Sequence, residues 1–268
     1  MITIRDLLQG FRDLSLGGQP VIAHGSFKSL GRVQGGPRVV IDALLAASGG
    51  LMMPAFTYET LVYPPTGPRN NGMDYAAEYD WHNRQNPDAA PLYFRADLPV
   101  DEEIGILAET LRRQRDAQRS LHPVLSFTGV DVWYALERQT MDDPLAPIGA
   151  LAEENGWALL IGVDQRVNTS LHYAERLAGR PQFLRWAATP RRVVECPNFP
   201  GDSDGFQQIV RHIKQAINAV TIGEARVEAI PLRVLLDTAQ QLINEDPLAL
   251  LCQRDTCGRC NAVRELIG

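Results

Sequence analysis

Cysteine is scarce, with four residues in a chain of 268. That is too few for a disulfide framework at this size, and such thiols are expected to stay reduced in the cytoplasm. Long apolar runs are also missing. No stretch of about 18 apolar residues occurs, which argues against a membrane span. Residues 1–14 lack the basic region and apolar run of a secretory signal. Positive charge is not in excess either: 26 Lys and Arg stand against 32 Asp and Glu, a formal net charge of −6. Nucleic acid is disfavoured as a main partner, because phosphate binding needs concentrated cations. The acidic balance is compatible with a cationic ligand, although alone it says little. Neither a Walker pattern nor a dinucleotide fingerprint is present.

What is there is ordinary for a globular protein: 45% apolar and 22% charged residues. A chain this long removes roughly three quarters of its unfolded surface from water, so it needs no staple. Apolar residues Ile4, Leu7, Leu8, Phe11 and Leu14 recur at helical spacing and predict a helix over residues 2–16, ended by Gly17 and Gly18. Short apolar runs at 20–25, 51–56 and 158–163 read as strands. Residues 38–45 read as a helix with Pro37 at its start. Further helices are expected at 104–114, at 169–178 with Asn168 at or near the cap, and at 206–220 and 232–244. Strand, loop and helix alternate, so an α/β layered architecture is expected. Residues 58–101 break the rhythm as a long irregular segment, and a segment of that kind is usually functional or disordered. No repeat or low-complexity linker interrupts the chain, and one domain over residues 1–268 is the simplest account.

Several residues could carry chemistry. His172 and Glu175 lie three apart on a predicted helix that follows a predicted strand, so they can touch or converge on one cleft. A neutral imidazole with its tautomer held by a carboxylate is a general base near neutral pH. A core or surface histidine with an unrelated glutamate is equally compatible with that spacing. His122 precedes Pro123, which forces a turn into a strand. Such a turn can offer backbone N–H groups to an anion, or can be purely structural. Ser26 and its neighbours lead through Gly35 and Gly36 to a helix start, a weak phosphate signal. Cys257 and Cys260 have the spacing of a metal knuckle, and Cys252 lies close by. A structural site needs four ligands, however, and the remaining cysteine, Cys196, is far away in sequence, which leaves a carboxy-terminal turn with partly buried thiols. Asp74, Glu78 and Asp80 lie among Tyr75, Tyr79 and Trp81, either as a solvated loop or as a wall for a cationic ligand.

Taken in order, these segments resemble the aminoglycoside 3-N-acetyltransferase family over nearly the whole chain. The resemblance rests on His24 to Gly31, Gly35-Gly36 with Val40 to Leu44, and Met53 to Thr57. It continues through Arg119 to Pro123 with Ser126-Phe127, Asn168 to Glu175, and the tail Leu250 to Cys252 with Cys257 and Cys260. It implies a three-layer α/β/α sandwich with a mixed central sheet, acetyl-CoA as co-substrate, an aminoglycoside as the cationic acceptor and a part in antibiotic resistance. The tail cysteines belong to the family pattern too, so the resemblance implies no metal; the charge balance and lack of apolar runs already point to no nucleic-acid and no membrane partner. By the same resemblance His172 is the base that frees the acceptor amine, and Glu175 orients it, with Glu59 as another carboxylate able to do so. Ser26, Lys28, Ser29, Leu30 and Val33, with Ser120, Ser126 and Phe127 opposite, are expected to line the coenzyme A cleft. Glu59, Asp74, Glu78 and Asp80 are expected on the acceptor side. Residues 58–101 and 142–151 depart from the family pattern, so an amine other than an aminoglycoside is the alternative acceptor.

Overall fold

The strands follow from runs of β-branched and apolar residues that must be buried on both faces. In chain order they are β1 (Val21–Gly25), β2 (Leu51–Pro54), β3 (Leu61–Val62), β4 (Gln118–Arg119), β5 (Phe127–Val130), β6 (Trp157–Ile161), β7 (Phe183–Ala188), β8 (Val193–Phe199), β9 (Asn218–Ile222) and β10 (Ala225–Pro231). The computed structural model describes residues 1–85 and 92–267. Seven strands form one sheet in the order β4-β5-β2-β1-β6-β10-β9. Within it β1 runs parallel to β2 and β6, and the outer pairings are antiparallel.

The helices are α1 (Ile4–Asp13), α2 (Gly36–Ala47), α3 (Tyr75–Gln85), α4 (Ile106–Arg112), α5 (Trp133–Leu136), α6 (Ala146–Glu153), α7 (Ser170–Leu177), α8 (Val210–Ile213), α9 (Leu232–Glu245) and α10 (Gly258–Ile267). Alternation along the strands sorts them into two layers. Val21 and Ala23 of β1, with Leu159 and Ile161 of β6, pack against Leu7 and Phe11 of α1, Ile41 and Leu44 of α2, and Leu107 and Leu111 of α4. Ile22, Ala158 and Leu160 point the other way, toward Ile148 and Leu151 of α6, Leu171 of α7 and Leu235 of α9. The result is the expected α/β/α sandwich with a mixed central sheet.

The structure differs from the sequence reading in four places. The segment 58–101 is not wholly irregular: it holds α3 and β3, and residues 86–91 lie outside the described residues. The helix expected over 206–220 stops at Ala216 after short α and 3₁₀ turns, and Asn218–Ile222 becomes a strand. There the β-branched run Val220-Thr221-Ile222 pairs with β10 across a two-residue turn, and sheet pairing overrides the helical spacing. Finally, β3, β7 and β8 form a second, three-stranded sheet. The tail read as a turn carries α10.

Candidate active site

The parallel strands β1, β2 and β6 end on one side of the sheet, and ligand crevices gather beyond such carboxyl ends. His24 and Gly25, Met53 and Pro54, and Val163 line a cleft of about 920 Å³ at that edge. The turn after β6 places α7 across it. Gly162 has φ +61°, and a Cβ there would collide with Ser29, so the turn depends on glycine. Thr169 is the N-cap of α7, and Asn168 beside it accepts from Ser170 N through Oδ1 at 3.2 Å.

His172, two residues into α7, lines the cleft. Its Nδ1 lies 2.8 Å from Glu175 Oε2. Glu175 is 2% exposed, and its other oxygen accepts from Arg180 Nη1 at 2.6 Å. Arg180 Nη2 in turn donates to the carbonyls of Pro247 and Ala249 at 2.8 and 2.6 Å. The imidazole also meets Phe206 edge to face at 4.6 Å. With Nδ1–H donating a hydrogen bond to Glu175, the lone pair is left on Nε2. Two contacts and a fixed tautomer thus orient this ring. The sequence suggested the His172–Glu175 pair; Arg180 and Phe206 carried no local signal.

His24 sits at the end of β1, with Nε2 accepting from Thr169 N at 3.2 Å and 3.1 Å from Thr169 Oγ1. Burial lowers its pKa to about 3, so it is neutral with its proton on Nδ1. That buried Nδ1 has no partner among the described residues. His122 is also neutral, lowered to about 4 by burial, and its Nδ1 accepts from Val124 N and Leu125 N at 3.2 and 2.9 Å. The turn it closes is a structural staple.

Of the residues expected on the donor side, Ser26 and Lys28 line the cleft. Ser29 donates its hydroxyl to Ser26 O at 2.6 Å, and Leu30 is buried in the core, where Val33 packs against it. Ser120 Oγ accepts from Phe127 N at 2.8 Å, and Ser126 Oγ donates to Ala55 O at 2.8 Å. Phe127 is fully buried. These six side chains hold the framework behind the cleft. Arg119 joins them, with Nε on Ser126 Oγ at 3.0 Å and Nη2 on Ala55 O at 2.6 Å.

On the acidic side Glu78 lines the cleft. Glu59 is exposed, Asp74 caps α3 at Ala77 N (3.1 Å), and Asp80 pairs with Arg84 at 3.0 Å. The structure adds Asp101, Glu102 and Glu103, along with Tyr58 and Tyr63. Three consecutive carboxylates before a predicted helix were visible in the sequence, but they fell at the edge of the irregular segment. The cleft is therefore lined by Lys28, by the carboxylates Glu78, Asp101, Glu102 and Glu103, and by an imidazole backed by a buried carboxylate.

Fold and site together define an α/β protein with an imidazole–carboxylate pair in the cleft at the carboxyl ends of its parallel strands. The family profile described as aminoglycoside 3-N-acetyltransferase matches residues 22–244. The chain is 32% identical over 194 residues to aminoglycoside N(3)-acetyltransferase VIII of Streptomyces fradiae, covering 67% of this chain and 63% of that protein. It is 30% identical over 256 residues to aminoglycoside N(3)-acetyltransferase IV of a Salmonella species, covering 89% of this chain and 87% of that one. The crystal structure of the aminoglycoside acetyltransferase AAC(3)-IVa apoenzyme superimposes with a TM-score of 0.78 at 24% identity, over 98% of this chain and 97% of that one. The chain belongs to the aminoglycoside 3-N-acetyltransferase family, a family of acyltransferases. Among the described residues no helix is long and apolar enough to cross a membrane.

Proposed function

We propose that the protein transfers an acetyl group from acetyl-CoA to an amine of an aminoglycoside, with His172 as general base. The observation that carries this reading is the His172–Glu175–Arg180 chain at the cleft edge. An aminoglycoside amine is an ammonium ion near neutral pH and has no lone pair to attack with. His172 Nε2 takes its proton, and the freed amine forms a bond to the thioester carbonyl carbon. The C–S bond then breaks, coenzyme A leaves as the thiol with the proton returned by the imidazolium, and the second proton of the attacking nitrogen is released to solvent as the amide forms. Glu175 stabilises that imidazolium and holds its tautomer, and Arg180 holds Glu175 in place.

Lys28 offers a cation for the phosphate-bearing end of the donor, with Ser26 beside it. Arg166 also lines the cleft, although it pairs with Asp164 at 2.7 Å. Ser29, Leu30, Val33, Ser120, Ser126 and Phe127 support this surface from behind. Glu78, Asp101, Glu102 and Glu103 suit a polycationic acceptor by charge.

Thiol release from acetyl-CoA, measured with a panel of aminoglycosides, tests the reading. The wild type is expected to turn over at least one drug, and His172→Ala to lose about 100-fold or more in kcat, the usual contribution of a positioned base. Full activity in that variant would contradict the assignment of the base. Faster turnover of another amine would keep the donor and replace the acceptor.

A further inference from the structure

We propose that Asp202, Cys252, Cys257 and Cys260 form a zinc site that fastens the carboxy-terminal helix to one wall of the cleft. Their four potential ligand atoms, three Sγ and one carboxylate oxygen, lie within 4.8 Å of one another. In a tetrahedral site with Zn–S bonds of roughly 2.3 Å, the sulfurs stand about 3.8 Å apart. Closing the site around an ion therefore needs only a small inward movement of each side chain.

The missing fourth ligand weighed against a metal in the sequence, where Cys196 was the sole candidate. Cys196 instead lies in the second sheet opposite Arg185, where burial pushes its thiol up to about 12. The fourth group is Asp202, just past the end of β8 and 50 residues before Cys252. Cys257 and Cys260 form the knuckle, with Cys260 in the first turn of α10. Cys252, Cys257 and Cys260 are buried, and the Asp202 side chain is 17% exposed. Three thiolates and a carboxylate match zinc rather than magnesium or calcium, which prefer oxygen ligands. Four protein ligands leave no open coordination position, so the ion is structural.

The surroundings suit a site of net negative charge. Arg254 bridges Asp202 and Asp204 at 3.0 and 2.6 Å. Arg264 donates to the Cys252 carbonyl, and Asn261 holds the loop through Asp255 O at 2.6 Å. Such outer contacts orient metal ligands. Arg259, between two of the cysteines, lines the cleft together with Pro200, Gly201, Asp202 and Ser203. A small void behind His172 is bounded by Glu175, Arg180, Asp202 and Cys260. The ion thus ties three chain segments together beside the void that Glu175 and Arg180 also line.

The test is metal analysis of full-length protein purified without chelator or metal-affinity resin. About one zinc per chain is expected, released to a chromogenic chelator when the thiols are modified. Cobalt exchange is expected to give thiolate-to-cobalt charge-transfer bands, which weaken in Asp202→Asn and vanish in the Cys257→Ser/Cys260→Ser double variant. If the double variant fails to fold, the wild type still decides. Wild type that takes up neither zinc nor cobalt while its thiols titrate as free, or zinc retained undiminished by a folded double variant, would overturn the site.

Discussion

His24, His122 and His172 carry the same imidazole into different surroundings. The first two are buried and neutral, held at about 3 and about 4 against an ordinary value of 6.5. In the unfolded chain both take up a proton near that ordinary value. Above it neither state binds the protons, and the stability from keeping these rings neutral is fully present. As pH falls below 6.5 only the unfolded state gains them, so stability drops by about 1.4 kcal/mol per pH unit for each ring. The urea midpoint is expected to decline from about pH 6.5 to about pH 5, above the range where most carboxylates titrate. His122→Asn, whose amide oxygen can accept the same backbone N–H groups, is expected to halve that slope. A flat wild-type profile across this window would contradict the burial argument.

The junction between β6 and α7 decides where His172 sits. Its weak point is Gly162, where φ is +61° and a side chain would meet Ser29. The left-handed conformation alone costs a non-glycine residue about 1–2 kcal/mol. Gly162→Ala is expected to lose more than that in urea denaturation because of the added clash. In a Ser29→Gly background the cost is expected to fall back toward the conformational part, a coupling read from the double-mutant cycle. Equal costs in both backgrounds would remove the collision from the account. This junction also marks how far the sequence could be read. The strand, Asn168 beside the start of α7 and the His172–Glu175 pair are local signals within residues 157–175, and all were legible. β9 was not, because its helical spacing loses to pairing with β10, and that competition depends on a neighbour that has to be in place. Nor was the second sheet, whose β3 contributes only Leu61 and Val62.

Across the whole molecule, one cleft gathers a cationic residue, Lys28, and the carboxylates Glu78, Asp101, Glu102 and Glu103. Local charge at the site, more than the net charge, governs attraction of a polycation, and salt screens it. Replacing Glu102 and Glu103 by Gln is expected to raise KM for an aminoglycoside several-fold and flatten its salt dependence, with KM for acetyl-CoA little changed. An unchanged acceptor KM would move the substrate away from this wall. The sequence by itself determined the layered α/β class, the family resemblance and the imidazole–carboxylate pair, because each rests on spacing along one segment. Only the tertiary structure decided that Arg180 anchors Glu175, that Asp101 to Glu103 face the cleft, and that Asp202 joins three distant cysteines. These groups meet because the sheet brings strand ends and the tail together, and contacts between residues far apart in the chain leave no periodic trace in it.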